Sequence, residues 1–156
     1  MTGLLLVARP DGNFELLASA IERQFLIGLC RELRELLARG TDDVIVRRLF
    51  PPAYPHDAER EAFYQQMVRD ELRAKHLAAL RTIEQTAKAS TLSTDELTQW
   101  MTAVNALRLV LGTRLDITED DWRPDIDEDD PDYGAYLAYD VLSALLARIV
   151  QALSAD

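Results

Sequence analysis

One cysteine, two histidines and six scattered glycines leave a chain of 156 residues with little to build a reaction centre from. Cys30 alone excludes an internal disulfide and a thiolate metal cluster within one chain. His56 and His76 lie twenty residues apart, and neither has a Cys, Glu or His at zinc-ligand spacing. No Glu-x-x-His pair of the di-iron bundle type occurs. The glycines, at positions 3, 12, 28, 40, 112 and 134, form no phosphate loop, dinucleotide fingerprint or nucleophile elbow. No apolar run approaches twenty residues, and the opening MTGLLLVARPDG has only five apolar residues in a row before Arg9, too few for a signal-peptide core. These absences predict a cytoplasmic protein that is not an enzyme, needs no cofactor or metal and does not enter a membrane.

What is present is a core. With 48% apolar residues, the chain is long enough to bury one, and it reads as a single domain. The net charge of −10 is unevenly placed: residues 1–90 hold 13 Lys/Arg and 13 Asp/Glu, whereas residues 91–156 hold 4 and 14. Ten of those acids fall between Asp116 and Asp132, in DITEDDWRPDIDEDDPD. Such a chain repels phosphate backbones, which argues against nucleic acid as a partner.

The organising stretch is STDELTQWMTAVNALRLVLGTRL, from Ser93 to Leu115. Ser93 and Glu96 have capping-box spacing, and Asp95 and Glu96 suit the positive end of a helix. Leu97, Met101, Val104, Leu111 and Leu115 share one stripe, which Trp100 and Leu107 widen, while Leu109 and Val110 carry apolar character to the other faces. A helix apolar nearly all round is surrounded by others. The expected fold is therefore mainly α: a compact bundle of four to six helices with this one at its centre.

Around it, Leu4–Arg9 and Phe14–Leu17 flank Pro10-Asp11-Gly12-Asn13, the pattern of a β-hairpin over about residues 3–17. A first long helix runs from Ser19 to Arg39 and stops at Gly40, with Ile21, Phe25, Leu29, Leu33 and Leu36 as its core stripe and Leu26 and Leu37 at the margin. Thr41–Phe50 reads as a short helix or turn capped by Thr41 or Asp42, followed by a connector bearing Pro51, Pro52 and Pro55. A further helix starts near Asp57. Its early apolar face, Phe63, Tyr64 and Met67, is out of phase with the later one, Leu72, Ala79, Leu80, Ile83 and Ala87, which predicts a break between Val68 and Glu71. Arg69, Arg73, Lys75, Arg81 and Lys88 predict a basic, solvated face there. Ala89–Thr94 reads as a loop, the acidic run after Leu115 as a long connection, and Tyr133–Leu153 as the last helix.

Two groups of residues are candidates for function. Glu22 and Arg108 are opposite charges on the core sides of their helices, so they are expected either to pair across the bundle or, for Glu22, to close a capping box with Ser19. With Asn105, Arg114, Tyr139 and Asp140 they make a candidate buried polar network, which would become a ligand pocket if Arg108 lay open to an anion. The second group is the acidic loop, where Trp122, Asp127, Glu128, Asp129 and Asp130 could dock a partner. Asp125, Asp127 and Asp129 alternate as in a calcium loop, but Asp130 stands where that loop needs Gly and Tyr136 where it needs Glu, which argues against calcium. A helix-turn-helix fails too, because Trp100, Met101 and leucines occupy the recognition positions.

Arg48-Leu49-Phe50-Pro51-Pro52-Ala53-Tyr54, the run from Trp100 through Asn105 to Leu107-Arg108-Leu109-Val110-Leu111-Gly112-Thr113-Arg114-Leu115, and Tyr139-Asp140-x-Leu142 resemble the actinobacterial family catalogued as domain of unknown function twenty-seventeen. Val141 stands where the family pattern has Trp. The resemblance implies no activity; it implies genes encoded beside the adaptor of the Clp protease, and for some relatives a transcriptional-regulator label that the acidic charge disfavours. The reading is thus a non-catalytic interaction or regulatory protein with a protein partner, linked to regulated proteolysis and possible as a homodimer through the leucine-rich first and last helices. The alternative is a ligand-binding protein or enzyme with its pocket around Arg108.

Overall fold

The computed structural model describes residues 3–41, 43–117 and 126–155. In chain order it contains β1 (Leu5–Ala8), β2 (Phe14–Leu17), α1 (Ala20–Arg39), a 3₁₀ helix (Val44–Leu49), α2 (Ala58–Thr86), β3 (Thr91–Leu92), α3 (Thr94–Arg114) and α4 (Tyr133–Ser154). The fold is mainly α with an N-terminal hairpin.

Gly12, at φ 88°, closes the hairpin turn, and its amide donates to the Arg9 carbonyl. Leu6 pairs with Leu16 and Ala8 with Phe14; Leu4, Phe14 and Leu16 are buried, whereas Leu5, Val7 and Leu17 point outward. The predicted loop before α3 is partly a strand instead: Phe14 pairs with Leu92 and Glu15 with Thr91, so the sheet has three antiparallel strands in the order β1-β2-β3. Two residues are too few for a period-2 pattern, and this strand exists only through its partner.

Both capping boxes form. Ser19 and Glu22 close one at α1, Ser93 and Glu96 the other at α3. The 3₁₀ helix is capped by Asp43, whose carboxylate accepts from the Ile45 amide, and not by Thr41; Asp42, the other expected cap, lies outside the described residues.

α3 is the central helix. It packs most extensively on α4, α2 and the 3₁₀ helix, and Leu97, Trp100, Ala103, Val104, Ala106 and Leu107 are buried over about half of its circumference. Trp100 is fully buried, and its indole Nε1 donates to Thr86 Oγ1 at 2.8 Å. α4 is long and apolar enough to cross a membrane by length and composition; Leu142, Leu145 and Ile149 are fully buried in this fold.

Two expectations need correction. α2 is one unbroken helix of 29 residues. With neither Gly nor Pro between Ala58 and Thr86, nothing in the backbone ends it, and the phase shift reflects two surroundings. Its second half is core, with Ala79, Leu80 and Ile83 buried, while Phe63 and Met67 face solvent. In α1 the buried apolar residues are Leu26, Ile27, Cys30, Leu33 and Leu37, so the core face is turned by roughly a quarter turn from the stripe read at 100° per residue. Ile21, placed in the core by the sequence, is 76% exposed. Burial pushes the Cys30 thiol up to about 12, with Glu84 adding to the effect.

Candidate functional site

The open edge of α1 borders an apolar groove. α1 packs on α2, α4 packs on α3 and β1, and the first turns of α1 and α4 are left facing each other across a groove of about 250 Å³. Leu4, Phe25, Ala138 and Val141 line it together with Gly134 of the first turn of α4. Ile21 and Leu137, 76% and 46% exposed, stand at its edges.

Glu22 is the acidic group in this wall. It is buried, and its carboxylate accepts from the Ser19 amide at 2.8 Å while its own amide donates to Ser19 Oγ at 3.1 Å. The Ser19 amide above all, helped by the Ser19 hydroxyl and the Gly3 amide, holds its carboxyl below the usual range against the opposing effect of burial. Glu22 thus fixes both the start of α1 and the entry of β1.

The same saturation overturns the expected cross-bundle pair. Glu22 and Arg108 share no ion pair among the described residues. Arg108 Nε donates to Ser143 Oγ at 2.9 Å, and its guanidinium lies 5.1 Å from the Tyr139 ring centroid. One helical turn along, a Cβ on Gly112 would come within 3.1 Å of Arg48 Nη1 and 3.4 Å of Tyr139 Cε2. Arg48, Arg108, Gly112, Tyr139 and Ser143 therefore form a seam locking α4 and the 3₁₀ helix to α3. Arg48 and Ser143 were not picked out as site residues; the available sign was a glycine inside a helix.

The remaining candidates scatter. Asn105, Arg114 and Asp140 are exposed, so the six residues do not make one buried network. Arg114 lines a smaller hollow of about 150 Å³ with Leu29, Leu36, Leu107 and Val110. Asp127, Glu128, Asp129 and Asp130 are exposed and lead into α4; Trp122 and Asp125 lie outside the described residues. The basic face of α2 is not a free row either. Arg69 donates to the Thr41 carbonyl and hydroxyl, and Arg73 donates to the Leu37 and Ala38 carbonyls at the end of α1, leaving Lys75, Arg81 and Lys88 exposed.

His76 is a structural group. It packs edge-on against Phe50 with ring centroids 6.2 Å apart, and its Nδ1 is buried without a hydrogen-bond partner among the described residues. Desolvation holds its pKa below 6.5, opposed by the Leu49 main chain and aided by Lys75. Between that lowered value and the unfolded one the unfolded chain binds more protons, so this contribution is complete above about pH 6.5 and is lost as pH falls toward the folded value. A His76→Leu variant is expected to lose less stability than wild type between about pH 7.5 and about pH 5.5, measured as urea midpoints.

These features define a mainly α domain whose described surface offers an apolar groove between two helix starts beside an acidic stretch. The chain belongs to the family named domain of unknown function (DUF2017), whose model matches residues 4–153. No curated protein and no solved structure matches it significantly.

Proposed function

We propose that this is a non-catalytic, cytoplasmic interaction or regulatory protein that seats a basic, amphipathic segment of a protein partner in the α1–α4 groove. The observation that carries the reading is the pair Ile21 and Leu137, large aliphatics held apart in water on two helix starts. Covering side chains of this size is worth roughly 1.5–3 kcal/mol each when burial is complete, enough for an anchor. Charge selects the partner: exposed Asp127, Glu128, Asp129 and Asp130 run directly into the first turn of α4, whose Gly134 and Leu137 line the groove. A segment with an apolar row and a Lys/Arg end fits both halves. The pocket reading has weaker support, because the Arg108 guanidinium is engaged by Ser143 and Tyr139. The gene association that the sequence resemblance implies makes regulated proteolysis the first pathway to examine.

The test is affinity capture from host lysate by wild type, by Ile21→Glu with Leu137→Glu, and by a variant with Asp127, Glu128, Asp129 and Asp130 changed to Asn or Gln. A partner retained by wild type and reduced at least tenfold by each variant, equivalent to about 1.4 kcal/mol, is the expected result. Equal retention by all three forms would overturn the proposal.

A further inference from the structure

The first half of α2 extends past the core, and its outer stripe has coiled-coil spacing. Arg60, Phe63, Met67, Asp70 and Ala74 follow one another at alternating intervals of three and four residues and fall within roughly 80° of arc at 100° per residue. All five are exposed, Phe63 by 67% and Met67 by 64%. The other side of this half is occupied. Glu61 accepts from the Ala53 and Tyr54 amides, Gln65 donates to the Pro51 carbonyl, and Arg69 holds Thr41. The stripe is thus carried on an anchored helix with nothing covering it among the described residues.

The order of residues along the stripe says what covers it. From its apolar middle it is basic toward the N-terminus and acidic toward the C-terminus. A two-fold axis at the level of Gln65, with the helices antiparallel, sets Phe63 of one copy beside Met67 of the other and Arg60 beside Asp70, twice over. That is the a-against-d layering of an antiparallel coiled coil. A parallel pair would set Arg60 on Arg60 and Asp70 on Asp70. We propose that α2 pairs antiparallel with α2 of a second copy of this chain, with Phe63 and Met67 at the centre and the Arg60–Asp70 pairs at both ends. The contact is isologous, so it closes as a dimer. One helix pair buries less than the roughly 800 Å² per partner of standard interfaces, which makes the dimer reversible, in the micromolar range. The present contacts of Arg60, with Asp57 at 3.6 Å between exposed side chains and with the Tyr54 ring at 5.9 Å from its centroid, are weak enough to be exchanged. This face is on α2, apart from the α1–α4 groove, and the two proposals can fail separately.

Sedimentation equilibrium of the full chain from low micromolar to several hundred micromolar tests it. Wild type is expected to shift with concentration toward twice the chain mass. Arg60→Asp and Asp70→Arg, each placing two like-charge contacts in every dimer, are expected to weaken association at least tenfold, and Phe63→Ser as much or more. The double variant Arg60→Asp with Asp70→Arg is expected to return to within about threefold of wild type, which loss of folding could not do. A wild type that stays monomeric throughout, a dimer indifferent to these changes, or a double variant as weak as the singles would overturn the proposal.

Discussion

Replacing Trp100 with alanine is expected to remove about 4 kcal/mol of folding stability. The indole is fully buried on the helix that every other helix touches, so its loss leaves a void that the packed elements around it close only in part. It also removes the donor to Thr86 Oγ1, although that hydroxyl keeps its own bond to the Thr82 carbonyl at 2.6 Å. The greater part of the effect is therefore volume, and Trp100→Phe is expected to cost only about 1–2 kcal/mol. For a chain of this length the alanine variant should melt roughly 10–15 °C lower. A loss below about 1 kcal/mol would mean that α3 is not the centre of the core.

Arg23→Met is expected to cost about 3 kcal/mol, through the junction between sheet and helices. The Arg23 guanidinium donates to four main-chain carbonyls: Leu16 at 3.0 Å, Ala18 at 3.3 Å, Ala87 at 2.8 Å and Ala89 at 2.6 Å. Two of these close the end of α2 and the turn into β3, where the helix dipole gathers negative charge, and the other two hold the end of β2. Methionine keeps the apolar stem but leaves several half-buried carbonyls to find water. Arg23→Lys is expected to recover little, because an ammonium cannot span the four acceptors as a planar fork does. Amide exchange locates the effect: the Leu16 amide, bonded to the Ser90 carbonyl at 2.8 Å, should exchange faster in both variants relative to amides of α3. Uniform acceleration of all amides would contradict this local role.

The parts of the fold that could be read from sequence are those set by neighbours along the chain. Ser19 with Glu22 and Ser93 with Glu96 announce their helices because a capping box closes within four residues. The hairpin follows from its turn, and the central position of α3 from apolar residues on every face. What escaped depends on distant partners. The arc of apolar side chains on α1 is wider than the face that the core covers, and periodicity does not tell which edge stays open; here Ile21 and Phe25 lie on the open edge. Arg23 falls between Ile27 and Cys30 on the helical wheel, a sign that could have been read, but its four acceptors come from three other parts of the chain. Glu22 was legible in its local role and misleading in its long-range one, since its burial did not mean a charge partner on α3.

The groove between α1 and α4 is the centre of the functional account, and photo-cross-linking in the native host examines it most directly. A benzophenone amino acid would be placed in turn at Ile21, at Leu137 and at Asn105, the last exposed on α3 away from the groove. One shared adduct is expected from positions 21 and 137, none from 105, and the cross-linked partner peptide should carry an apolar row flanked by Lys or Arg. Absence of an adduct at both groove positions, or the same adduct from position 105, would contradict it.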